Sequence, residues 1–230
     1  MSISIDHPPS ALQISVGGRD HWLHPSSIDH AQPMLEAVQS SLPELRAFMP
    51  WAHLPQTLEG QRARLAELER GYATGGDQVF HMRDERGGPI LGCIGLHHRS
   101  LNPRAFGIGF WVRTSSAGRG LATLWSRCLT VLCFERYGYD RVQCCHHEAN
   151  LASARVIEKV GFVQEGRLRR YSDTPTPEMV AAGMKEGLYT VIYGLCPEHR
   201  SELPWYEEIA RTLVLHAEDG TVHPARPPRR

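Results

Sequence analysis

No run of apolar residues comes near the ~20 that a membrane-spanning helix needs. Residues 1–9 carry neither the basic region nor the apolar stretch of a signal peptide. A cytoplasmic location is expected. Net charge is missing as well: 25 basic residues balance 25 acidic ones, so no overall field draws the chain to nucleic acid or to an anionic membrane. The final Pro-Pro-Arg-Arg is too short to argue otherwise. The six cysteines include no Cys-x-x-Cys pair, and neighbours such as Cys144-Cys145 point to opposite faces of a strand, which disfavours a vicinal bridge. Reduced, mostly buried thiols follow. Internal repeats are absent.

Phosphate and metal signatures are incomplete too. No Gly-Lys-Ser/Thr completes a P-loop, and Gly118-Arg-Gly120 lacks the third glycine and the later acid of a dinucleotide fingerprint. His97-His98 and His146-His147-Glu148 lack the His-Glu-x-x-His spacing that sets two ligands on one helix face. Adjacent strand histidines also face opposite ways, so no metal is expected.

What the sequence does contain is a strand, a glycine loop and a helix in succession. Phe106-Gly-Ile-Gly-Phe-Trp-Val112 reads as a buried strand, and residues 121–137 carry Leu124, Trp125, Cys128, Leu129, Leu132 and Cys133 at helical spacing. Between them, Ala117-Gly-Arg-Gly120-Leu-Ala122 turns tightly into a helix whose first N–H groups are unpaired and lie at the positive end of its dipole. Such a junction is a ready site for an anion. A second block, His146-His-Glu-Ala-Asn150-Leu-Ala-Ser153-Ala-Arg-Val-Ile-Glu158-Lys-Val-Gly161-Phe162, follows a strand at 141–145 and makes a short helix that stops at glycine. Gly107 and Gly109 interrupt the first strand, which signals a bulge or the close approach of another chain or ligand.

Together the two blocks resemble the GNAT superfamily of acetyl-CoA-dependent N-acetyltransferases. The family loop Gln/Arg-x-x-Gly-x-Gly/Ala is met at 117–122 except in its first position, where Ala117 replaces a polar residue. Asn150-x-x-Ser153 and Glu158-Lys-x-Gly-Phe-x-x-Glu-Gly166 look more narrowly like the RimJ/RimL branch, which includes ribosomal-protein alanine N-acetyltransferases. The likeness covers residues 12–195. It implies an α/β fold, with a mixed, mostly antiparallel central sheet flanked by helices in a single domain.

By the same resemblance, the N–H groups of Gly118, Arg119, Gly120, Leu121 and Ala122 hold the pyrophosphate of acetyl-CoA, with added charge from the Arg119 side chain. Pantetheine lies along the strand as an extra strand does, bonded to the backbone of Phe110, Trp111, Val112 and Arg113. The Val112 N–H is the candidate oxyanion donor. Asn150 is suited to capping its helix and to bonding the cofactor, and the two roles are compatible. Ser153 stands where the RimJ/RimL-like pattern has a serine near the sulfur; it is the candidate for contacting or protonating the thiolate, or else an ordinary small helix residue. The tyrosine that many members place four positions later is Ile157 here.

Two family acids are missing. The glutamate that often precedes Ile-Gly-Tyr-Trp is Gly107, and the acid ten residues after Gly-Phe falls on Ser172. Asp173 is the neighbouring candidate base, with a water chain through His146, His147 or Glu148 as an alternative and a solvated loop carboxylate as the plain reading. Phe48 and Trp51 are candidates for the acceptor wall or for core. Arg167, Arg169 and Arg170 suit a solvated strand edge or an acidic partner. The implied activity is direct transfer of acetyl to a primary amine, either a protein N-terminus or a small amine. No cysteine has a matched histidine and acid to make an acyl-enzyme. The replacements at Ala117, Gly107 and Ser172 keep open a catalytically weak, CoA-binding sensor or interaction module.

At 230 residues and 41% hydrophobic, the chain can bury one sizeable core. Residues 1–11 read as a loose leader, 12–196 as the acetyltransferase domain and 197–230 as an extension with 224–230 disordered. Strands are expected at 12–16, 21–24, 78–83, 90–96, 105–113, 141–146, 162–168 and 188–195, and helices at 28–40, 42–48, 58–72, 120–137, 151–160 and 205–215. The closing strand and the tail are candidates for a homodimer contact.

Overall fold

Short β-branched and aromatic runs divided by turns account for the strands β1 (Ala11–Val16), β2 (Arg19–Pro25), β3 (Gln78–Arg83), β4 (Gly92–His97), β5 (Ala105–Val112), β6 (Arg141–His147), β7 (Val163–Arg169), β8 (Tyr189–Leu195), β9 (Val214–His216) and β10 (Val222–Pro224). The computed structural model describes residues 4–5, 7–98, 102–171, 175–182 and 189–227. In it the strands form a 10-stranded sheet in the order β10-β9-β1-β2-β3-β4-β5-β6-β8-β7. Neighbours pair antiparallel except β5 and β6, which run parallel. The architecture is therefore a mixed, mostly antiparallel sheet, flanked by helices.

Strand alternation sorts the side chains onto two faces. On one face Phe80, Met82, Ile94, Leu96, Phe106 and Ile108 meet α4 (Leu121–Glu135), α5 (Leu151–Val160) and α7 (Tyr206–Thr212) in the larger core. Trp125, Cys128, Leu129, Leu132 and Cys133 of α4 have no exposed surface, and each large apolar side chain buried this way contributes about 1.5–3 kcal/mol. On the other face α1 (Ala31–Gln39), α2 (Leu42–Arg46) and α3 (Leu58–Ala73) pack Met34, Val38, Leu45 and Leu65 against Cys93 and Trp111. The sheet thus separates a core that anchors α4 and α5 from a smaller one beneath α3.

The tail departs from the sequence expectation. The helix expected over 205–215 ends at Thr212, and Leu215 pairs with Leu12 of β1 in the short strand β9. The change has a plain cause: Leu213 and Leu215 are fully buried, and alternation along a strand serves that burial where a helix does not. Ser10 is held to His216 by a 2.7 Å backbone bond, and Ala225 is buried, so neither flank is loose there. Residues 228–230, like Leu188, lie outside the described residues. A short helix, α6 (Pro177–Ala181), stands where a loop is expected, capped by the Thr176 hydroxyl accepting from the Met179 N–H at 3.2 Å. The closing strand β8 is flanked by β6 and β7, so it has no free edge. Among the described residues no helix is long and apolar enough to cross a membrane.

Candidate active site

β5 and β6 pair only at their first residues, Ala105↔Arg141, Phe106↔Val142 and Gly107↔Gln143. Beyond that point β5 continues to Val112 and β6 to His147 without pairing, so the two parallel strands part. The other edge of β5 stays bonded to β4 in unbroken register from His97↔Gly107 to Gly92↔Val112, and the Arg113 N–H continues it by donating to the Leu91 carbonyl at 2.8 Å. Alternate residues of such a ladder turn their N–H and C=O to the same neighbour. Gly109, Trp111 and Arg113 therefore face β4, while Phe110 and Val112 face the gap. This corrects the expectation for Trp111 and Arg113, whose backbone groups the β4 ladder takes. The Arg113 carbonyl, moreover, accepts from Ser116 at 2.8 Å. No bulge occurs at Gly107 or Gly109, and at Gly109 the close approach comes from the His97 ring.

The gap opens onto the glycine loop. Gly118 and Gly120 have φ of 77° and 79°, a left-handed conformation that glycine adopts without strain, and a Cβ at either would meet open space. Among the described residues the N–H groups of Gly118, Arg119, Gly120, Leu121 and Ala122 have no backbone acceptor outside the helix, and those of Leu121 and Ala122 lie in the first turn of α4, where the helix offers none. The loop is braced at its entry: Arg113 Nε donates to Ser40 Oγ at 2.9 Å, and the Thr114 N–H donates to Ser41 Oγ at 3.1 Å. Arg119 turns its guanidinium outward to pair with Asp84, so the expected side-chain contribution of Arg119 to the loop is spent on that ion pair.

Asn150 Oδ1 accepts the Ser153 N–H at 3.1 Å, the N-cap of α5. Both residues line a cleft of about 470 Å³ with Phe110, Trp111, Val112 and the loop; Phe48 and Met49 line it too. Arg155 and Lys159 also line it, and both went unnoticed in the sequence, although their i, i+4 spacing on the helix after Asn150 is the signal that reveals a shared face. They place positive charge beside the unpaired N–H groups. Trp51 lines a neighbouring cavity of about 300 Å³ under α3, its ring 6.3 Å from that of Trp111 and tilted 55° to it, with the Arg64 guanidinium 5.2 Å over its ring. Trp111 belongs to both cavities. Phe48 and Trp51 thus lie in adjoining spaces.

Of the base candidates, Asp173 and Ser172 lie outside the described residues. Glu148 is committed to Arg167 and to the Tyr189 N–H at 3.3 Å. His146 is buried, 2.8 Å from the His147 carbonyl and 3.3 Å from the Tyr193 hydroxyl, and His147 Nδ1 accepts from the Ala149 N–H. The cysteines of the core are poor nucleophiles: burial pushes the Cys144 thiol up to about 12 and raises Cys128 and Cys133 further. Arg167 and Arg169 lie on the edge strand β7, and Arg167 stacks over Tyr189 at 3.6 Å.

Parted parallel strands leading to a glycine loop and a helix N-terminus are suited to a long ligand that ends in phosphates. The backbone edge of Phe110 and Val112 fits an extended chain, and the unpaired N–H groups with Arg155 and Lys159 fit its anionic end. The chain belongs to the GNAT acetyltransferases: the family model described as acetyltransferase (GNAT) domain matches residues 21–163. Enzymes of this family use acetyl-CoA as acyl donor. YdaF of Bacillus subtilis strain 168, provisionally named a ribosomal N-acetyltransferase, is 34% identical over 82 residues, 36% of this chain and 45% of that protein. YjcK of the same organism, also provisionally named an N-acetyltransferase, is 30% identical over 121 residues, 50% of this chain and 64% of that protein. Neither alignment reaches two thirds of the relative's own length. Mycobacterium smegmatis RimJ, solved in complex with CoA-disulfide, superposes with a TM-score of 0.70 at 20% identity, covering 85% of this chain and 90% of that one. That likeness establishes the shared fold.

Proposed function

We propose that this protein is an acetyl-CoA-dependent N-acetyltransferase that passes acetyl directly to a primary amine, with a protein N-terminal alanine or serine as the favoured acceptor. The observation that carries it is the gap between β5 and β6, which leads from the free backbone edge at Phe110 and Val112 to the unpaired N–H groups of residues 118–122. Bound there, acetyl-CoA supplies an acetyl thioester. The Val112 N–H is aimed into the gap and is the oxyanion donor in this reading. Ser153 sits on the first turn of α5 facing the same cleft and stabilises the leaving sulfur. Burial keeps the Cys144, Cys128 and Cys133 thiols protonated and so removes these three as acyl carriers. The N-terminal acceptor rests on the RimJ/RimL-like motifs and on the name that YdaF carries.

Calorimetric titration with acetyl-CoA, beside CoA and ATP, tests the cofactor; a screen of peptides beginning with alanine or serine, with polyamines alongside, tests the acceptor. Selective acetyl-CoA binding and N-terminal acetylation are expected. Binding without turnover of any amine defines a CoA-binding module instead, and turnover of polyamines alone moves the acceptor to small molecules.

A further inference from the structure

His97 and Asp77 form a dyad on the sheet face opposite α4, and no motif pointed to it. His97 closes β4, on the face that carries Cys93 and, through cross-strand pairing, Trp111. Its cross-strand partner is Gly107, the last residue of β5 to pair with β6. The ring lies in a slot made by absent side chains: a Cβ on Gly95 would stand 2.8 Å from Nε2, and one on Gly109 would stand 3.4 Å away. Nδ1 and Asp77 Oδ2 are 2.8 Å apart, while Asp77 Oδ1 accepts the His98 N–H at 3.0 Å. A carboxylate held at both oxygens accepts the Nδ1–H, which leaves the Nε2 lone pair available. Among the described residues Nε2 has no hydrogen-bond partner, and the side chain is 22% exposed. Nε2 therefore lies above the β4–β5 ladder, beside Gly95 and Gly109, next to the level of Gly107 where β5 and β6 part.

We propose that His97 is the general base of the acetyl transfer and that Asp77 is its positioning residue. The assignment rests on the acetyltransferase reading above. As the acceptor nitrogen bonds to the acetyl carbon, its proton passes through intervening water to Nε2; the carbon–sulfur electron pair leaves with sulfur, which takes a proton from Ser153 or solvent, and His97 returns its proton to bulk water. Two other candidates are engaged: Glu148 by Arg167, and His146 by Tyr193 and the His147 carbonyl.

The test compares the wild type with His97→Gln, His97→Ala and Asp77→Asn. CoA release is followed with an alanine-initiated hexapeptide and with water alone as the acceptor-independent baseline. Acetyl-CoA affinity is read by calorimetry. His97→Gln is expected to lower kcat by about 100-fold or more, the usual effect of losing a general base, with acetyl-CoA affinity within about twofold. Added imidazole is expected to restore part of the rate in His97→Ala. Independently of activity, two-bond 1H–15N spectra are expected to show His97 protonated at Nδ1 only, a preference lost in Asp77→Asn. Wild-type kcat in His97→Gln, or a fall in kcat matched by a fall in acetyl-CoA affinity, overturns the assignment. Absence of acetyl-CoA binding by the wild type overturns the parent reading, and this one with it.

Discussion

Gly120 shows how one residue joins local conformation to binding. Its φ of 79° lies in the left-handed region, where a side chain strains the backbone by roughly 1–2 kcal/mol, yet the space beyond its Cα is open cleft. Fold and ligand therefore respond differently to the same change. Gly120→Leu is expected to lower the melting temperature by a few degrees only, while the new side chain enters the space beside the loop N–H groups and weakens acetyl-CoA binding by at least tenfold. Calorimetry and thermal melting on one preparation check both. Arg119, by contrast, is held by Asp84, so Arg119→Ala is expected to leave acetyl-CoA affinity within about threefold.

At the scale of elements, α5 is organised at both ends. Asn150 caps its start, and its last turn is tied to the tail by Trp205 Nε1 donating to the Val160 carbonyl at 2.9 Å. Asn150→Ala is expected to cost about 1 kcal/mol through loss of the cap, a drop of roughly 2–4 °C in melting temperature for a domain of this size. Asn150→Ser keeps a capping oxygen and loses the amide. Wild-type stability with weakened acetyl-CoA binding in that variant assigns the amide to the cofactor; wild-type values for both restrict it to the cap. The same helix carries Ser153, Arg155 and Lys159 to the cleft, so its placement sets their reach.

At the scale of the molecule, two features lie outside the cleft. Residues 197–227 place Trp205, Tyr206, Leu213 and Leu215 in the larger core and bond β9 to β1. A chain cut after residue 196 exposes that apolar surface together with the edge of β1, and it is expected to aggregate rather than to fold as a smaller enzyme. Sedimentation of the purified fragment decides. The second feature is a histidine group made by His24 on β2, His81 on β3 and His30. Burial, aided by Arg83, holds His24 down to about 4; burial, aided by His30, drives His81 well below its ordinary value; and burial lowers His30. His81 lies 3.0 Å from Ser26 Oγ and 3.1 Å from His30 Nδ1. Unfolded, these groups take up protons near 6.5. Below that pH the unfolded chain binds more protons than the folded one, so stability is lost as pH falls from about 6.5 toward 4 and is unchanged above it. Urea midpoints at pH 5 and 7.5 are expected to show the lower value at pH 5, and His24→Gln to reduce the difference.

How much of this was legible beforehand depends on the range of the interaction. Glycine positions and apolar spacing are local, and through them the sequence alone determined the glycine loop, α4, α5 and most of the strands. Nothing local distinguishes Phe110 and Val112 from Trp111 and Arg113; that choice came from the β4 ladder, whose register decides which N–H groups face the gap. Arg119 found Asp84, His97 found Asp77, and Leu215 found Leu12 across long stretches of chain. Each depends on strands being brought side by side, because one step of register turns every side chain to the other face. The sequence by itself therefore determined the class of fold and the glycine loop, while tertiary pairing alone decided which backbone groups of β5 stay free and which carboxylate holds His97.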